Sequence, residues 1–219
     1  MKKNKRPRKK RKIRLFIFII VLIAAGILVY MALNLNKDTT KKEGKKVVDK
    51  IDNFDYTVSE TDTKLFKDEF KKLKKVLSEK EVDNKKYAEQ VAKLFIIDFY
   101  TLDNKVTKND VGGVQFVYSN YKSTFIDKAR NEFYKYVKSN LDNNRNQELP
   151  IVENITVNSS DEVTASNELT TDEFSDKEAY KINVSWEYKK DLGYQDSATL
   201  IVVKDNDKFS VAKLISIEN

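Results

Sequence analysis

The sequence predicts an α+β domain carried behind a transmembrane helix, and three patterns predict it. Residues 15–33, LFIFIIVLIAAGILVYMAL, form an unbroken apolar run directly after a dense block of Lys and Arg. Apolar residues then recur at helical spacing between Ser59 and Leu141. From Ile151 onward the period changes to two, the spacing of half-buried strands.

The apolar run contains no charge between Arg14 and Lys37. As a helix it would be ~28 Å long, against a hydrocarbon core of ~30 Å. It has no polar face, so residues 15–35 are expected to span a bilayer. A cleaved signal has a shorter apolar region of about 7–15 residues and a small-residue cleavage site. Asn34-Leu35-Asn36-Lys37 is a poor match, and a lipid-modified exported protein would need the Cys that this chain lacks. The segment therefore reads as an uncleaved signal-anchor.

Residues 1–14 carry ten basic residues and no acid, which holds that tail in the cytoplasm and places the rest outside. Lys9, Lys10, Arg11, Lys12 and Arg14 lie next to the span. They are candidate contacts for anionic headgroups, each worth about 1 kcal/mol near the surface. A pure topology signal and binding of cytoplasmic nucleic acid are the other two readings of the tail. Outside it, 31 of the 41 basic residues face 34 acidic ones. The basic excess thus belongs to the tail, which argues against nucleic-acid binding by the outer domain.

Residues 36–52, NKDTTKKEGKKVVDKID, are charged and read as a linker. The outer domain is expected to occupy residues 53–219, a size that suits one domain. Twelve Phe, 11 Tyr and one Trp are enough for a core, and the absence of Cys suits an exported protein without disulfides. Asn53–Ser59 is expected to be extended. Ser59 and Asp62 are expected to cap a helix whose apolar stripe is Phe66, Phe70, Leu73 and Leu77, with Lys71, Lys72, Lys74 and Lys75 turned away.

A second helix is expected from Asp83. Tyr87, Val91, Leu94, Phe95 and Leu102 lie on one side, and Ala88, Ala92, Ile96 and Phe99 widen the apolar surface, as in a helix enclosed by the core. The chain turns through Lys105–Gly113, and Val114–Tyr118 is short and apolar. A third helix is expected from Asn120 to Leu141, with Phe125, Ile126, Ala129, Phe133, Tyr136 and Val137 as its core stripe and Pro150 as a stop beyond it.

Ile151–Val157 alternates as a first strand, and Val163–Leu169 is a weaker second. Tyr180, Ile182, Val184, Trp186 and Tyr188 form the apolar face of the clearest strand. Ala198–Val203 is a central strand, and Asp205-Asn206-Asp207 turns into Phe209–Ile217. Three helices packed on one face of a curved antiparallel sheet of four or five strands complete the expected α+β domain.

This order of elements resembles the nuclear transport factor 2-like (cystatin-like) cone. With the basic tail and single span, the whole chain resembles bitopic, VirB-family inner-membrane scaffold components of bacterial type IV secretion and conjugation systems. The resemblance rests on architecture and no signature motif, so it carries over no functional residues. It implies a domain that binds other envelope or secretion-machine proteins, self-association included.

The chain has no His and no Cys, which removes the usual acid–base and thiolate systems, most zinc sites and iron–sulfur clusters. It has no phosphate-cradling glycine motif. No cofactor, metal or catalytic residue is assigned. Asp98 is the one acid on the apolar stripe of the second helix, so it needs a partner or a raised pKa. Arg130 or a Tyr hydroxyl is the expected partner. Phe116, Tyr118, Tyr180, Trp186 and Tyr188 are candidates for the rim of a cavity, or simply core. A small-ligand sensor with a pocket near Asp98 or Trp186 is the alternative to an interaction domain.

Overall fold

A computed structural model describes residues 46–216. The basic tail, the apolar run and residues 36–45 lie outside the described residues, as do Lys9, Lys10, Arg11, Lys12 and Arg14. Among the described residues, no helix is long and apolar enough to cross a membrane.

The described chain is α+β, as the change of period predicts. A two-stranded antiparallel ribbon opens it: β1 (Val47–Ile51) pairs with β2 (Tyr56–Ser59). The expected linker is therefore ordered from Val47 onward. Two helices follow, α1 (Lys64–Leu77) and α2 (Asn84–Tyr100). The cap of α1 is Thr63, whose hydroxyl accepts from the Phe66 N–H at 3.2 Å, rather than Ser59 or Asp62. Asp62 instead accepts from the Ser59 N–H and closes the preceding turn. Asp83 caps α2 through the Lys86 N–H at 3.0 Å. Phe66, Phe70 and Leu73 bury one face of α1, whereas α2 is buried around most of its circumference from Tyr87 to Tyr100.

The third helix, α3 (Lys122–Asn131), stops ten residues before the expected Leu141. Its backbone breaks at Glu132, and the Tyr134 N–H reaches back to the Ala129 carbonyl at 2.8 Å. The break turns Tyr134 and Val137 inward and leaves Tyr136 exposed, reversing the role expected of Tyr136. Val114–Phe116 forms a 3-10 turn.

The remaining strands form one antiparallel meander, β3 (Val152–Thr164), β4 (Glu178–Tyr188), β5 (Ser197–Asp205) and β6 (Lys208–Ser216), paired in that order. β3 is a single 13-residue strand where two were expected. The residues expected as the second strand divide, and Ala165–Leu169 becomes a short helix, α4. Asn206, in the left-handed region at φ 55°, makes the turn between β5 and β6.

One face of the sheet carries the main core, with Ile182, Val184, Leu200 and Val202 packed beneath α2. Residues 117–121 pass around the edge at β6, where Val117 bridges to Val211 and the Tyr118 N–H donates to the Val211 carbonyl at 2.9 Å. That detour delivers Tyr118 to the opposite face. There it joins Phe174, Ala165, Ala179, Ile201 and Val203 in a second, smaller cluster. The sheet is thus partly covered on both faces.

Candidate functional site

Asp98 lies in the last turn of α2, with 17% of its side chain exposed. Its ion-pair partner is Lys105, not Arg130. The Lys105 ammonium donates to Oδ1 at 2.5 Å, and the Lys105 side chain is completely buried. The Gly113 N–H donates to the other oxygen, Oδ2, at 2.7 Å. An ammonium and an amide thus divide one carboxylate between them, which offsets much of the desolvation that burial imposes.

Two glycines make this approach possible. A Cβ on Gly112 would fall 2.0 Å from the Asp98 carbonyl oxygen, so no larger residue fits there without movement of the backbone. Gly113 adopts φ 76°, in the left-handed region that favours glycine. Tyr134 completes the closure. Its hydroxyl donates to the Phe99 carbonyl at 2.6 Å, satisfying one of the carbonyls left unpaired at the end of α2. The same hydroxyl accepts from the Gly112 N–H at 3.1 Å. Burial, followed by the charge of Asp98, pushes the Tyr134 hydroxyl well above the ordinary tyrosine range. Arg145 fastens the outer side of the loop, donating to the carbonyls of Asp103 at 2.5 Å and Lys105 at 2.7 Å. Chemically, the arrangement binds residues 103–113 to the end of α2.

Sequence reasoning found Asp98 and the glycine pair but missed Lys105, Tyr134 and Arg145. The signal for Lys105 was its position seven residues after Asp98, on the turn that the glycines close. Arg145 was visible as one of only two arginines outside the tail. The other, Arg130, lies on α3 with its Nη1 3.9 Å from Asp127.

Tyr180 and Trp186 both face the main core from β4, but six residues, or about 20 Å, separate them along the strand. The Tyr180 hydroxyl donates to Glu178 at 2.9 Å, and its ring lies 5.8 Å from Phe209. Burial pushes its pKa up, with Glu178 adding to the shift. Trp186 packs on Tyr100 at 4.5 Å. Phe116 is fully buried against Tyr56, while Tyr118 belongs to the second cluster. The five aromatics proposed for one rim are therefore distributed along and across the sheet.

Beside Trp186 lies a depression of about 210 Å³, lined by Asn154, Ile155, Thr156, Ser185, Glu187 and Asp196. Its volume is below the about 300–1,000 Å³ usual for small-molecule pockets. A wider, open hollow of about 650 Å³ lies at the β5–β6 turn, among charged side chains including Glu173, Asp176, Lys177, Glu178 and Lys204. Ion pairs engage both lysines, Lys177 with Asp205 and Lys204 with Glu178. Among the described residues, no group of three His, Cys, Asp or Glu side chains is arranged to hold a metal.

No protein-family model, no curated protein and no solved structure matches the chain.

Proposed function

We propose that the chain is a non-enzymatic, single-pass membrane protein of the bacterial cell envelope. Its basic tail lies in the cytoplasm and its C-terminal domain, a variant of the nuclear transport factor 2-like cone, lies outside. The domain binds other envelope proteins or further copies of itself as a scaffold in secretion or conjugation.

The observation that carries this reading is the packing around Phe99. Its ring lies 5.6 Å from Phe95, 5.0 Å from Tyr100, 5.2 Å from Phe125, 5.1 Å from Phe133 and 5.5 Å from Tyr134. Aromatic rings fill the space under the end of α2 that a sensor would reserve for its ligand. Asp98, the best acid for carboxylate chemistry, is already engaged by Lys105 and Gly113. What remains for recognition is the outer surface. On the face of the sheet away from the main core, the half-buried Asn183 accepts from the buried Thr199 at 2.5 Å and donates to Ser159 at 2.7 Å. Towards the edge, Ser185 donates to the exposed Asn158 at 3.2 Å. Such a polar, ordered face suits a protein partner better than an apolar small molecule.

The test is a photo-crosslinking residue placed at Asn158 or Thr156 of the full chain in intact cells. The expected result is a discrete adduct with another envelope protein or with a second copy. Absence of any adduct, together with a strictly monomeric detergent-purified protein, would overturn the reading.

A further inference from the structure

Among the described residues, the large apolar side chains left exposed are Val47, Val48, Val82, Val106, Tyr136 and Leu141. All except Val82 gather at one end of the domain. Contacts between neighbouring segments link them, with Val47 and Val48 on the flank, where Asp49 reaches Lys74 of α1. The Glu60 N–H donates to the Lys46 carbonyl at 2.8 Å, beside Val47 and Val48. Asn104 donates to the Thr61 carbonyl at 3.4 Å. The Asn140 N–H donates to the Val106 carbonyl at 2.7 Å, and Gln147 donates to the Tyr136 carbonyl at 3.0 Å. Arg145 bonds the carbonyls of Asp103 and Lys138 across the same loops. Tyr136 is 75% exposed and Leu141 62%.

The opposite end has a different character. α2 begins there, where Asn84 donates to Glu178 at 2.9 Å. In the hollow at that end the carboxylates of Glu173, Asp176, Glu178, Asp205 and Asp207 outnumber the ammonium groups of Lys177 and Lys204. The 17 residues of α2 separate the two ends by about 25 Å. One end is therefore dotted with apolar groups and the other with acids.

We infer that the apolar end, built on Val47, Val48, Val106, Tyr136 and Leu141, rests on the headgroup layer of the membrane. The inference deepens the proposed function and rests on its membrane anchor. The chain enters the domain at Lys46, at this same end. Residues 34–45 separate it from the apolar run and reach at most about 40 Å when fully extended. A tether of that length keeps this end at high effective concentration near lipid. Tyr136 carries the Lys135 ammonium 5.3 Å from its ring centroid, and the pairing of an amphipathic ring with a snorkelling lysine suits a headgroup boundary. Anionic headgroups repel the acidic end, which favours the same orientation.

The chain has no Cys, so a single introduced Cys carries a fluorophore without competition. The full-length protein is reconstituted into phosphatidylcholine–phosphatidylglycerol vesicles as Tyr136→Cys, Leu141→Cys or Asp207→Cys, each labelled with an environment-sensitive dye. Nitroxide on the lipid headgroups should quench the dye at positions 136 and 141 severalfold more than at 207, with a blue-shifted emission at the first two. Equal quenching at all three positions, in protein that floats with the vesicles, would overturn the inference and leave the anchor intact. Protein that fails to float would overturn the anchor and this inference with it. Proximity of labels at 141 in two copies without lipid quenching would show a protein contact instead and also overturn it.

Discussion

Lys105 and Asp98 show how much one buried pair decides at the scale of the residue. Lys105 is completely buried and Asp98 only 17% exposed, so loss of either partner leaves the other largely shielded from water. Lys105→Met should lower the unfolding free energy by about 3 kcal/mol, the cost of leaving a carboxylate without its counter-charge. Urea denaturation reads this directly. Adding Asp98→Asn should restore much of the loss, because the double variant no longer buries an unpaired ion. A Lys105→Met protein as stable as the parent would show that the pair is not structural. The need for a partner at Asp98 was legible in the sequence, since a lone acid on an apolar stripe demands one. The partner's identity was not. It depends on a loop whose path is set by the close approach of Gly112 to the helix and by Tyr134 inserted from a later segment.

Between elements, α1 and α2 are joined by a buried polar knot around Glu69. Gln90 donates to the Glu69 carboxylate at 3.0 Å, Lys72 at 2.6 Å, and Lys93 lies 3.8 Å away. Burial alone would raise the Glu69 pKa, but the hydrogen bonds of Lys72 and Gln90 and the two lysine charges outweigh it and hold the carboxyl below its ordinary value of 4.5. A depressed carboxylate stabilises the fold above the unfolded pKa, and that stability is lost as pH falls through the folded one. Stability should therefore fall from pH 4.5 downward, and Glu69→Gln should flatten that fall in urea midpoints measured against pH. An unchanged slope would place the acid sensitivity elsewhere.

Long elements with strong periodicity were the legible ones. α2 contains eight of the nine apolar positions expected of it, Leu102 lying just past its end, and β4 follows from strict alternation. The continuation of β3 past Val157 was hidden because Asn158, Ser159 and Ser160 look like a loop, yet the strand runs through them, with Asn158 exposed and Ser160 buried. A register shift between Val157 and Ser159 absorbs the irregularity. β3 is also an edge strand, where bulges protect against unwanted pairing. The end of α3 was hidden for another reason. Tyr134 and Tyr136 have similar chemistry, and only tertiary contacts decide which of them turns inward.

For the whole molecule, the α+β class and the antiparallel meander were readable from the change of period at Ile151. The covering of the second sheet face was not, because it depends on residues 117–121 wrapping around β6 to bring Tyr118 onto Phe174. The distribution of exposed groups gives the domain two unlike ends, a property no local pattern announces. The proposed partition between a cytoplasmic tail, a lipid-embedded run and an outer domain underlies every functional statement made of this chain. Single-cysteine variants test it most directly, using a membrane-impermeant maleimide on wall-stripped cells. Asn158→Cys should label in intact cells, whereas Lys9→Cys should label only after the membrane is opened. Labelling of position 9 from outside, or protection of position 158 until lysis, would contradict the partition.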